Sequence, residues 1–285
     1  MIWEGVPSVY RYQTLEDVPL GEIAACLNLA FSDYDIPLCL TEAELAHLFR
    51  TSGVDESRSF GAFCGDQMVG FMLHSCGLYY GQEAAFNVGT GVVPEHRGNG
   101  ISTNLFSLAE QVLRQAQIQS YYLEVLRQNE GAIRLYKKQG FSVTREFAVL
   151  HASAPTGSTE RGKVEYMEFD RFDLDHVGQC RKIGPSYEHS TGLLRRNPEL
   201  YEVAYRRENG VSAFCVFSKA DGQILQMGCR SVEELKSVIQ SLLSRVHPLT
   251  AKNIDQKERE VLEMFAALGF KTAAKQFEMV KRVDS

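Results

Sequence analysis

Val92-Val93-Pro94-Glu95-His96-Arg97-Gly98-Asn99-Gly100-Ile101-Ser102 is the stretch on which the reading of this chain turns. Before Pro94 the residues Ala84 to Val93 pattern as a strand; after Gly100 the residues from Ser102 to about Gln115 pattern as a helix, with Leu105, Leu108, Val112 and Leu113 as its apolar stripe. A strand that turns through glycines into a helix offers bare backbone N–H groups at the positive end of the helix dipole. Without Cβ atoms, Gly98 and Gly100 let a pyrophosphate come close to them. Arg97 adds a cation and Ser102 a small side chain. Two glycines alone would also fit a plain tight connection.

Downstream lies Leu123-Glu124-Val125-Leu126-Arg127-Gln128-Asn129-Glu130-Gly131-Ala132-Ile133-Arg134-Leu135-Tyr136. Asn129 and Tyr136 are about two helical turns apart, so their side chains leave the helix on nearly the same side. Taken singly, Asn129 is a helix cap and Tyr136 a packing residue. Taken together behind a glycine turn, they point to a ligand.

Working outward, Val9–Leu15 reads as a strand, Leu20–Phe31 and Glu42–Arg50 as helices, and Phe60–Cys64 with Val69–Tyr80 as a hairpin around Gly65-Asp66-Gln67. Tyr121–Leu126 reads as a strand, Glu130–Lys138 as a helix closed by Gly140, and Ser142–Leu150 as a strand. The small, polar run His151–Thr159 marks a domain boundary, giving domains 1–150 and 151–285. The second half repeats the later part of the order, with strands at 201–206, 211–218, 223–227, 249–253 and 271–283 and helices at 232–246 and 257–267. Leu135-Tyr136-Lys137-Lys138-Gln139-Gly140-Phe141 aligns with Met264-Phe265-Ala266-Ala267-Leu268-Gly269-Phe270 at a displacement of 129 residues, which reads as internal duplication.

The segments Arg97–Ser102 and Asn129, Ala132, Tyr136, Gly140-Phe141 resemble the acyl-CoA motif and the later N-x-x-A-x-x-x-Y motif of the GCN5-related N-acetyltransferase (GNAT) superfamily, departing only by Ser102 in the last position of the first. The match is close over about residues 84–147. The resemblance implies an α+β fold of two tandem GNAT-like domains, each a mixed, largely antiparallel twisted sheet flanked by helices. It implies acetyl-CoA as acyl donor, bound by Gly91, Val92 and Val93 through the backbone along pantetheine, by Arg97, Gly98, Asn99, Gly100, Ile101 and Ser102 around pyrophosphate, and by Asn129 on pantetheine. Tyr136 becomes the candidate general acid for the leaving thiolate. Glu124 stands where some ribosomal-protein N-acetyltransferases carry a carboxylate base, with Asn87 and His74 in reserve. In the second half Tyr136, Asn129 and the cradle become Phe265, Glu258 and Gln226–Ser231, so that copy reads as degenerate.

The chain has 285 residues, 44% of them hydrophobic, and a net charge of -6. Residues 1–150 hold 10 Lys/Arg against 17 Asp/Glu and the rest 20 against 19, with no basic excess to favour nucleic acid. No apolar run is long enough for a membrane span, and a cytoplasmic location is expected. The seven cysteines, none in a C-x-x-C pair, argue against a disulfide framework or a zinc site, and no metal is expected. The acidic first half suits a cationic amine; Asp33, Tyr34 and Asp35, in the loop Phe31–Pro37, and Asn87 on the strand Ala84–Val93 are the candidate acceptor contacts. Rival readings are an acyl-CoA-binding or sensing module without catalysis, and an acetyltransferase of protein N-termini or lysines. The oligomeric state, monomer or homodimer, is left open.

Overall fold

Proline and glycine punctuate the elements of this chain much as its hydrophobic periodicity suggests. The computed structural model describes residues 9–33, 38–152, 164–177 and 180–283. Strand β1 (Tyr10–Thr14) leads to helix α1 (Leu20–Ala30), which starts directly after Pro19. Helix α2 (Glu42–Ser52) is fixed at both ends: Thr41 and Glu44 form a reciprocal capping box, and Gly53 closes it at φ 63°. Then follow β2 (Phe60–Cys64), β3 (Gln67–Tyr79), β4 (Gln82–Val92), α3 (Ile101–Gln115), β5 (Ser120–Leu126) and α4 (Glu130–Lys138).

The second part of the chain holds β6 (Ser142–Ala152), β7 (Val164–Glu168), β8 (Arg181–Ile183) and the short α5 (Thr191–Leu194). It continues through β9 (Tyr201–Arg207), β10 (Val211–Ser218), β11 (Gln223–Cys229), α6 (Val232–Leu243), β12 (Leu249–Asp255), α7 (Arg259–Ala267) and β13 (Lys271–Arg282). The sequence pattern does not reveal β7 or β8, and β13 is one long strand. Of the polar run read as a boundary, His151 and Ala152 end β6, whereas 153–159 lie outside the described residues.

The packing forms two compact units that are not the two halves of the sequence. One takes the described residues within Met1–Leu123, Arg134–Ser142 and Val280–Ser285; the other takes those within Glu124–Ile133 and Val143–Met279. In the first unit the strands run β1-β2-β3-β4-β5, antiparallel except for the parallel pair β4/β5. One face packs on α1 and α2 through Phe63, Phe71 and Leu73 with Ile23, Leu27 and Leu45. In the second unit the end of β5 neighbours β13, and the order continues β6-β12-β11-β10-β9-β7. Its main core gathers Phe217, Ile224, Leu235, Ile239 and Phe265 under α6 and α7.

Within the second unit the two halves of the sequence exchange their last strands. Arg127 N–H donates to Lys275 O at 3.0 Å, and Gln256 N–H donates to Glu146 O at 2.8 Å. Residues 127 and 256, and likewise 146 and 275, stand 129 apart, the displacement of the sequence repeat. The two bonds are the same bond made in reciprocal directions.

Candidate active site

Strands β4 and β5 pair in parallel from Ala84–Ser120 to Asn87–Leu123, and their pairing stops there although both continue, to Val92 and Leu126. The cause is local. Against β3, Asn87 faces His74 but Gly89 faces Leu73, so Val88 is an extra residue that bends β4 away from its neighbour. Val92 and Val93, expected to run along pantetheine, are buried. Their backbones are partly engaged, Val93 N–H on Val69 O at 2.9 Å and Val92 O under Arg97 Nε at 3.0 Å. Gly91 serves packing as well: a Cβ there would lie 2.6 Å from the Phe71 ring.

Gly98 and Gly100 adopt φ 79° and 74°, a region costly for other residues, and a Cβ on either would meet nothing within 4 Å. The glycines are therefore needed for backbone shape and for the open space above them. Gly100 is the N-cap of α3 without a side-chain cap, and the first turn carries no acid. The helix thus keeps its N-terminal N–H groups and its positive dipole end for an outside anion. A groove of about 220 Å³ lies there, lined by Val92, His96, Arg97, Ile101, Ser102 and Leu135 among others. Asn99 turns back, its Nδ2 donating to His96 O at 3.1 Å.

Arg97 is more committed than the sequence suggests. Nη1 and Nη2 donate to the two carboxylate oxygens of Asp33 at 2.6 and 2.9 Å, and Nη2 also donates to Ala30 O at 2.8 Å. The guanidinium thereby ties the end of α1 to the turn that follows β4. Asp33, expected beside the acceptor, has both oxygens on Arg97, which holds its carboxyl below the usual range. Tyr34 and Asp35 lie outside the described residues.

In α4, Asn129 Oδ1 accepts Ala132 N–H at 3.0 Å, so this residue does cap the helix. Tyr136 is half-buried, edge-on to Phe106 and Phe141 at ring separations of 5.9 and 6.1 Å. Asn87 and His74 converge on a group that the sequence reading passed over, the phenol of Tyr121. His74 Nδ1 sits 2.6 Å from Arg58 O, which only accepts, so Nδ1 carries the proton and Nε2 must accept from Tyr121 Oη at 2.5 Å. Asn87 Nδ2 donates to the same phenol oxygen at 3.1 Å and to Thr90 Oγ1 at 2.8 Å. Burial pulls the His74 imidazole down to about 4, so it is neutral and structural.

Glu124 points to the other face of β5 from Tyr121 and Leu123. Its Oε2 accepts from Asn253 Nδ2 at 2.7 Å and from Gln276 Nε2 at 3.2 Å. Its Oε1 is buried with no partner among the described residues. Burial first, then the negative Glu188, pushes its carboxyl up to about 8; the Lys252 ammonium and the bond from Asn253 act against them. Asn253 and Gln276 were missed in the sequence. Asn253 was within reach, since it is the residue 129 positions after Glu124.

The corresponding region of the second half is filled by the chain itself. Strand β11 pairs with β12 only at Gln223–Thr250 and Ile224–Ala251, and beyond that the short β8 takes its edge, Met227 facing Ile183 and Cys229 facing Arg181. Arg181 holds Glu258, the residue in the place of Asn129, by two bonds at 2.7 and 2.8 Å. Helix α6 is capped by the Ser231 hydroxyl and has Glu233 and Glu234 in its first turn, the opposite of what an anion needs. Among the described residues no group of His, Cys, Asp and Glu is placed to hold a metal ion.

Residues 23–141 match the family model described as the acetyltransferase (GNAT) family. Among solved structures, a GCN5-related N-acetyltransferase from Sphaerobacter thermophilus is similar at TM-score 0.70 and 15% identity, covering 99% of this chain and 98% of the other. A putative acetyltransferase from Pyrococcus horikoshii gives 0.66 at 16% identity over 96% and 88% of the two chains. A tandem GNAT protein from the clavulanic acid biosynthesis pathway gives 0.61 at 14% identity over 97% and 99%. No curated protein matches by sequence. These likenesses establish the α+β GNAT fold along the whole chain.

Proposed function

From the match of residues 23–141 to the acetyltransferase (GNAT) family model, we propose that the chain transfers the acetyl group of acetyl-CoA to the primary amine of a small acceptor. The observation that carries this reading is the uncapped, acid-free N-terminus of α3 behind two left-handed glycines with open space above them. Phosphate oxygens suit such a place because orphan N–H groups donate to them and the dipole favours their charge. Backbone groups of residues 98–102 would hold the pyrophosphate, and Gly91 to Val93 and Asn129 the pantetheine. Arg97 acts as the brace of the cradle.

In the proposed reaction the amine nitrogen attacks the thioester carbonyl, the C–N bond forms and the C–S bond breaks. Glu124 takes the proton lost by the amine; a carboxyl raised toward neutrality is a competent base near neutral pH. Tyr136 gives a proton to the departing thiolate. Asn87, tied to Tyr121 and Thr90, fixes the point where β4 leaves β5. Domains 1–150 and 151–285 are proposed as the duplicated sequence units, the first catalytic and the second degenerate.

The test is CoA release measured over a panel of small amines, peptides with free N-termini and lysine peptides. A small amine as the best acceptor supports the proposal. CoA binding without release for any acceptor would instead identify an acyl-CoA-binding module.

A further inference from the structure

The buried polar cluster around Glu124 gives the second half of the sequence a role. Asn253 has every polar atom of its side chain engaged. Nδ2 donates to Glu124 Oε2 at 2.7 Å and to Ser186 Oγ at 3.0 Å, while Oδ1 accepts Gln276 Nε2 at 2.8 Å. Gln276 Nε2 donates in turn to Glu124 Oε2 at 3.2 Å. The carboxylate is thus gripped by one oxygen, and the other, Oε1, is buried and unpartnered among the described residues. A group shut off from water in this way is costly unless something else comes to it.

The backbone is shaped for this grip. In the pairing of β12 with β6, Ala251 faces Leu150 and Ile254 faces Ala148, so an extra residue is bulged between them. Asn253 takes φ 61° in the bulge, which a short amide side chain tolerates and most residues do not. The surrounding charges are answered in pairs. Lys252 on β12 meets Glu188, and Arg145 on β6 meets Glu278 on β13 through Nε at 2.8 Å and Nη2 at 2.5 Å. Glu124 is left as the carboxylate without a cation of its own, oriented by amides that cannot ionise.

We propose that Asn253 and Gln276 are positioning residues that act through Glu124, holding its Oε2 so that Oε1 faces the proton of the incoming amine. The inference rests on the proposed function, in which Glu124 is the base. The degenerate half is then retained because it supplies the amides that aim the base of the other half. Neither amide touches substrate.

The experiment compares the pH dependence of kcat/KM in the wild type, Glu124→Gln, Asn253→Gly and Gln276→Leu. A parallel titration of 13C-labelled Glu carboxyl groups by NMR, in the full chain, reads Glu124 without turnover. Glycine at 253 keeps the left-handed backbone while removing the amide, and Gln276→Leu is an independent variant on a different strand. Loss of a donor to the charged form raises the carboxyl, so each variant moves the alkaline-rising limb and the NMR midpoint to higher pH, by about half a unit or more. The KM for acetyl-CoA stays within about twofold, because no phosphate contact is altered. The inference is overturned if Glu124→Gln abolishes the limb but neither amide variant moves it, or if the NMR midpoint is the same in all the chains that retain Glu124. Absence of CoA release in the wild type defeats the proposed function instead, and the NMR titration still decides the grip on Glu124.

Discussion

Arg97 and Asp33, 64 residues apart, are joined by two hydrogen bonds at 2.6 and 2.9 Å that close a bidentate ion pair between the end of α1 and the anion cradle. The pair commits both Asp33 carboxylate oxygens to Arg97, and under the proposed function it would brace the acetyl-CoA side. Asp33→Asn leaves Arg97 its bonds to Ala30 O and Val92 O but loosens the brace. Exposed pairs of this sort are weak, so the expected effect is a rise of about two- to fivefold in the KM for acetyl-CoA, with the acceptor KM unchanged. Steady-state kinetics in both substrates check it; an acceptor KM that rises alone would return Asp33 to the acceptor.

One acetyl-CoA should bind per chain. In the second half β8 lies along β11, Arg181 is locked on Glu258, and Ser231 and two glutamates occupy the start of α6. Calorimetric titration should give a stoichiometry near one, and a second site of similar affinity would refute the closed-slot account. Gly100→Val, forced into φ 74°, should weaken binding at least tenfold, since left-handed backbone costs such a residue about 1–2 kcal/mol and its side chain fills the space above the cradle.

Tyr136→Phe keeps the ring on Phe106 and Phe141 and removes only the hydroxyl. Turnover should fall about 10²-fold or more while acetyl-CoA affinity and thermal stability stay close to wild type, as expected for loss of a general acid. Unchanged turnover would assign the proton to water or another group.

Glu124 also makes stability depend on pH. Its carboxyl is higher in the folded chain, about 8, than the ordinary value of 4.5, so the folded state binds that proton more tightly. The contribution is complete below about 4.5 and is lost as pH rises toward about 8. Glu124→Gln, neutral throughout, should therefore gain melting temperature relative to wild type at pH 8 over its difference at pH 5. Equal differences at the two pH values would show that the carboxyl is not held neutral by burial.

The elements that carry the cradle are legible in the sequence because each follows a local rule. The strand before Pro94 is a run of apolar and small residues that the proline stops, α3 has a 3.6-residue stripe, and Gly140 stops α4 two residues past Lys138. Strand β8 is not legible, since three residues, Arg181–Ile183, have no period to detect. The enclosure of the Glu124 carboxyl oxygen Oε1 is not legible either. At the end of a strand a glutamate is ordinarily solvated, and what encloses this one arrives from Gln276, 152 residues later. Arg97 reads as a phosphate contact for the same reason: its partner Asp33 belongs to a different local pattern. The sequence repeat is the long-range signal that does reach the site, because it pairs position 124 with 253.

The reciprocal bonds from Arg127 to Lys275 and from Gln256 to Glu146 govern the order in which the protein can be made. When the ribosome has finished the first copy, the strand that its Arg127 must meet has not been translated. The nascent chain carries an open sheet edge through the synthesis of most of the remaining residues, which is the interval in which edges recruit other chains or a chaperone. Cutting the gene at the repeat boundary would make that interval permanent. A fragment ending at residue 150 should aggregate when produced alone and recover when the complementary fragment is expressed in the same cell.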